Sequence, residues 1–138
     1  MSAVVAVSII CKVPENLGIE TTGALSIGLA CITQGLNELN YAYEKDKEIV
    51  DCNNQIQKVK LLIRSLEGKQ IGLVESKEGF SFIVPDVNCA TTQAAIKKIK
   101  QRYSKYVLLH ELESKGYAKI KEEKLPNGKI RMVVERWE

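Results

Sequence analysis

Between Lys97 and Lys105 five cationic side chains, Lys97, Lys98, Lys100, Arg102 and Lys105, fall within nine positions without an acid among them. At about 100° per residue Lys97, Gln101 and Lys105 stack on one side of a helix, with Lys98 and Arg102 beside them. A stripe of this kind can follow a phosphate backbone, which makes Lys97, Lys98, Arg102 and Lys105 the candidate nucleic-acid contacts. The stacking platform of a single-strand binder is incomplete. Only Tyr103 and Tyr106 interleave with the cations, and Tyr103 falls on the apolar face. A solvated helix face explains the same residues, so nucleic acid ranks behind protein among the expected partners.

Catalytic chemistry finds less support. His110, the single histidine, lies in line with Tyr103 and Val107 at helical spacing, where an imidazole packs more often than it reacts. To work as a base it would have to meet Cys89, Ser104 or Ser114 and a third orienting group, and no nucleophile elbow or cysteine-protease signature is present. Glu111, Glu113, Glu122 and Glu123 stand in mixed-charge segments with nothing to desolvate a carboxyl. Gly23, Gly28 and Gly35 lack the lysine of a phosphate loop, and Gly28 and Gly35 are expected to permit close approach of a helix to a sheet instead. Cys11, Cys31, Cys52 and Cys89 show no C-x-x-C and have no neighbouring histidine, which removes metal-finger spacing. The residues therefore predict no catalytic, cofactor-binding or metal site, and the expectation is a protein that is not an enzyme.

A different pair points to a surface. Trp137 exposes a large apolar ring if it does not pack, and Arg136 beside it is a type enriched at interface hot spots. Arg136, Trp137 and Tyr106 form the candidate partner interface.

The elements that position these residues follow from periodicity. Val4, Val5, Val7, Ile9 and Ile10 make a nearly unbroken β-branched run, which predicts a strand in the centre of a sheet, ended near Pro14. Thr21 or Thr22 is the expected cap of a helix whose apolar positions Leu25, Leu29, Ile32, Leu36 and Leu39 recur at three- and four-residue steps. Residues 41–57 are polar and of mixed charge. Val59, Leu61 and Ile63 then alternate as in a half-buried strand, and Ile71 to Glu75 and Gly79 to Val84 complete a three-stranded meander.

A long helix follows from Thr91 to Lys115, with Thr91 or Thr92 as N-cap and Gly116 at its exit. Its residues Ile96, Ile99, Tyr103, Val107 and Leu112 are expected to pack on a closing hairpin, Tyr117 to Trp137. That hairpin turns at Leu125-Pro126-Asn127-Gly128. The predicted fold is a single α+β domain over residues 1–138, with one mostly antiparallel sheet and both helices on one face.

Composition agrees with one globular domain. The chain has 138 residues, 45% hydrophobic and 27% charged, and a net charge of +3 from 20 basic and 17 acidic side chains, too even to demand a polyanionic partner. No basic segment or cleavage site flanks the first apolar run, and the stretches Ala3–Cys11 and Ala24–Ile32 fall short of the about twenty residues that cross a bilayer. The cysteines are expected to be reduced, in the cytoplasm, with no membrane anchor.

Several pieces carry a family likeness: Ile71-Gly72-Leu73, Gly79-Phe80 through Pro85-Asp86, Gln101-Arg102-Tyr103, Gly116-Tyr117, and Asn127-Gly128-Lys129-Ile130-Arg131 running into Val134-Glu135-Arg136-Trp137. Over roughly residues 56–138 the chain resembles the cyanobacterial and plastid family of the chloroplast hypothetical reading frame thirty-five. The resemblance implies a single α+β domain of the cytoplasm or plastid stroma and brings no activity, cofactor or catalytic residue with it. Together these readings predict a protein-interaction or assembly module that self-associates or binds a protein partner at exposed sheet edges.

Overall fold

In order, the chain forms β1 (Val4–Cys11), α1 (Leu25–Leu39), β2 (Ala42–Val50), β3 (Ile56–Arg64), β4 (Gln70–Ser76), β5 (Gly79–Ile83), α2 (Ala90–Ser114), β6 (Tyr117–Lys124) and β7 (Ile130–Trp137). The computed structural model describes residues 4–11, 25–76, 79–126 and 129–137, except the side chains of 4–11, 25–27, 76, 79, 136 and 137. The α+β class and the antiparallel pairing match expectation.

The strands differ from it in three ways. The meander has a further strand, β2, and the strands divide into two sheets, β2-β3-β4-β5 and β1-β7-β6. β2 escapes a periodicity search because it is an edge strand charged on both faces, with only Ile49 fully buried. Among the described residues β1 is also an edge rather than a sheet centre. It pairs antiparallel with β7, from Val4 opposite Trp137 to Cys11 opposite Ile130. That contact joins the two ends of the sequence, and no local pattern encodes it.

Both helices cover one face of the four-stranded sheet. Cys31, Ile32 and Leu36 of α1 and Ala95, Ile99 and Tyr103 of α2 share one core with Leu61, Ile63, Ile71, Leu73 and Phe80. Each such aliphatic side chain, taken from water, contributes about 1.5–3 kcal/mol before chain entropy is set against it. The helices cross closely because Gly35 has no side chain. A Cβ there would lie 2.9 Å from Cβ of Arg102. Gly35 thus serves helix-to-helix contact, whereas Gly28 meets the Phe80 ring of β5, the helix-to-sheet approach expected of it.

The outer half of the β2–β3 hairpin changes face. Lys45 pairs with Leu61 and Lys47 with Val59, while Asp46 between them takes a left-handed φ of 53°. Beyond that irregularity Ile49 and Val59 pack with Leu62, Val74 and Ile83 in a separate small cluster. Gly72 makes room for it, since a Cβ at that position would come within 2.6 Å of Val59.

At 25 residues α2 is about 37 Å long, enough to reach both sheets. Its first half enters the helix-covered core, and the hairpin receives Leu109 instead, against Ile130 and Met132. Ile99 and Tyr103, expected on the hairpin, belong to the first core. The helix starts at Ala90 rather than Thr91, and its N-cap is Cys89 rather than Thr91 or Thr92, with no side-chain cap bond. An Asx turn leads into it, in which Asp86 Oδ1 accepts from the Asn88 amide at 2.9 Å. Gly116, at φ 89°, provides the expected left-handed exit. The anticipated stop at Pro14, the caps Thr21 and Thr22 and the turn residues Asn127 and Gly128 lie outside the described residues.

Candidate functional site

The charged residues of α2 meet two carboxylates where α1, α2 and β6 converge. Lys105 is 2% exposed. Its Nζ donates to Oε2 of Glu38 at 2.5 Å, lies 3.2 Å from Oε1 of Glu122, and sits 4.6 Å above the centre of the Tyr106 ring. The Tyr106 hydroxyl donates to the same Glu38 oxygen at 2.6 Å. Arg102 Nε lies 2.9 Å from Glu38 Oε1, an ion pair too bent for a hydrogen bond. Lys119 reaches Glu122 from its own strand at 3.3 Å.

Local structure explains this convergence. Glu38 sits three residues after Gly35, nearly one helical turn along the α2-facing side of α1, where the helices are closest. Glu122 follows a break in the β6–β7 register between Lys119 and Lys121. The irregularity leaves Ile120 out of the ladder and lets Lys119 and Glu122, three apart, serve the same cluster.

Electrostatics hold Glu38 charged. Burial pushes the Glu38 carboxyl up, but hydrogen bonds from Lys105 and Tyr106 and the charges of Lys105 and Arg102 outweigh it, leaving its pKa below the usual value. The Tyr106 phenol is raised, first by burial and then by its bond to Glu38 and the nearby carboxylates. A buried ammonium without such partners would be strongly destabilising. Chemically the arrangement is a pin. Acid, base and phenol are bound to one another rather than aimed at a common reactant.

The predicted stripe is therefore divided. Lys97 and Lys98 are exposed, whereas the Arg102 side chain is 12% exposed and that of Lys105 only 2%. Placing all four on one solvated face was wrong for Lys105, because the spacing that stacks it above Lys97 carries it beneath α1 and β6. Tyr106 is half-buried and committed to Glu38. Arg136 and Trp137 pair with Val5 and Val4 at the end of β7; the interface expected of their side chains lies outside the described residues. His110 is exposed rather than packed. It shares its angle with Tyr103, but two turns further on α2 has passed the helix-covered core.

Sequence inspection missed Glu38 and Glu122. Gly35 was the one usable signal for the first, and nothing local marked the second. A shallow depression of about 280 Å³ near Asp46, Lys47, Glu48, Lys58 and Val59 carries mixed charge and no convergent set of donors. Among the described residues no three His, Cys, Asp or Glu side chains gather to hold a metal ion. No described helix is long and apolar enough to cross a membrane.

Comparison with known proteins places the chain beside relatives rather than beside a solved fold. The family model described as "Protein of unknown function (DUF1257)" matches residues 35–133. The chain is 30% identical to "Uncharacterized protein ycf35" of Cyanophora paradoxa over 111 residues, 77% of this chain and 86% of that protein. No solved structure matches.

Proposed function

The chain belongs to the DUF1257 family of proteins of unknown function, and on that premise we propose that it is a non-enzymatic protein-interaction or assembly module of the cytoplasm or plastid stroma. The observation that carries this is the sheet order. Two separate antiparallel sheets leave β1, β6, β2 and β5 as edge strands among the described residues. Each edge offers a row of backbone donors and acceptors to an added strand, a common basis of peptide recognition and self-assembly. The commitment of Lys105, Glu38, Glu122 and Tyr106 to one another supports a structural rather than a catalytic use of the most polar cluster.

Light scattering over a dilution series, with capture from an extract of the source cells, tests the proposal. The expected result is a mass above that of one chain or a retained protein partner. A strict monomer that retains nothing sinks it. Nucleic-acid binding is the alternative, and exposed Lys97 and Lys98 still favour it. Its signature would be an affinity for polynucleotide that falls steeply with salt and drops when Lys97 and Lys98 become alanine.

A further inference from the structure

We infer that a second copy of this chain adds to the β1 edge, antiparallel, about a two-fold axis at Val7. The inference rests on the assembly reading above and names its partner and its strand.

Three of the four edges carry devices that discourage strand addition. β5 has only five residues, and Pro85, which cannot donate to a ladder, follows closely. β6 is rich in lysine and glutamate, and its ladder is interrupted at Ile120. β2 is charged and kinked by the left-handed Asp46. β1 has none of these: Val-Val-Ala-Val-Ser-Ile-Ile-Cys contains no charge and no proline, and its pairing with β7 runs through eight consecutive residues without a shift.

Symmetry separates self-pairing from other additions. A two-fold axis perpendicular to a sheet keeps each residue on its own face, so a residue can oppose only residues of its own parity in the copy. In β2 the acids Glu44, Asp46 and Glu48 occupy even positions and Lys45 and Lys47 odd ones. Asp46 turns the strand over between them, so no two-fold register keeps one face in step along β2, and five consecutive charges stand at its centre. In β1 an axis at Val7 sets Val5 opposite Ile9, Val4 opposite Ile10 and Ala6 opposite Ser8, with no charge anywhere. These are mostly β-branched cross-strand pairs, the most favourable kind.

Self-pairing also resolves a conflict between sequence and topology. The uncharged, β-branched β1 run is of the kind expected inside a sheet, yet among the described residues it has one neighbour, β7. A second copy supplies the other and joins the two three-stranded sheets into one of six strands.

The test is a charge swap in the wild-type chain. Ala6 and Ser8 share by register the face of Glu135 and Val133, both half-buried, and not the face of the buried Ile130, Met132 and Val134. The wild type is expected to be dimeric by light scattering. Ala6→Lys with Ser8→Lys, and Ala6→Glu with Ser8→Glu, should each weaken the dimer about a hundredfold or more. Mixing the two variants should restore the dimeric mass, which unfolding would not allow. Hydrogen exchange in the wild type provides an independent readout if a variant fails to fold: amide protection in residues 4–11 should fall as the dimer is diluted. A dimer that both charged variants leave intact, or protection unaffected by dilution, overturns the β1 assignment while the assembly reading stands. A wild type that stays monomeric overturns the second copy, and the assembly reading falls only if no other partner is retained.

Discussion

The two sheets solve the problem of holding strands together by different physics. The four-stranded sheet lies under two helices and is held by a continuous apolar core that includes Ile63, Leu73 and Ile99. The three-stranded sheet has a small cluster, Leu109 with Ile130 and Met132, and is tied to the helices by the charged pin at Lys105. Apolar burial is non-directional and tolerates small displacements. A buried ion pair with hydrogen bonds is stabilising only in one geometry, so it specifies how β6 sits against α1 and α2 more than it adds to stability. The comparison teaches that one part of this fold is held by bulk and the other by register.

The largest expected effect tests the bulk. Ile63 is fully buried, so Ile63→Ala should lower unfolding stability by about 2–5 kcal/mol, read from the urea midpoint at constant slope. A loss under about 1 kcal/mol would mean that the helix-covered core does not carry the fold.

The pin comes next. Lys105→Met leaves Glu38 and Glu122 without their central cation. Removal of one partner from a fully buried pair costs about 3–5 kcal/mol. Here the carboxylate side chains keep 27% and 28% exposure, and solvent screening brings the expectation to about 1–3 kcal/mol. Hydrogen exchange should speed up in β6 and β7 before it does in β3 and β4. Uniform acceleration across both sheets would erase the distinction between them. Adding Glu38→Gln and Glu122→Gln should recover part of the loss.

The smallest effect is the pH dependence. Glu38 is depressed in the folded state, so its contribution is fully present above the unfolded value of about 4.3 and is lost as pH falls through the lower folded value. The urea midpoint should therefore drop on acidification below about pH 4.3, and Glu38→Gln should flatten that part of the profile. An identical acid profile in wild type and variant would show that the pin does not hold Glu38 ionised in solution.

Much of the architecture was legible locally. Leu61 and Ile63, two apart, and Ile32 and Leu36, four apart, reveal their faces because core contact repeats with the geometry of the element itself. Gly116 announced the end of α2 because a left-handed residue favours glycine. β2 was not legible, since an edge strand has little apolar face to display. Lys105 was misjudged for a related reason: five cations within nine positions look solvated, and the carboxylates that permit burial lie 67 residues before it and 17 after it.

The sequence by itself determined the class of fold, the two helices and most strands, because those depend on periodicity and turn chemistry within a few residues. The tertiary structure alone decided that the described strands form two sheets, that β1 meets β7 and among them stands at an edge, and that Lys105 turns inward to Glu38 and Glu122. Each of these is a contact between segments far apart in the chain, selected by the total burial and charge pairing of the whole molecule.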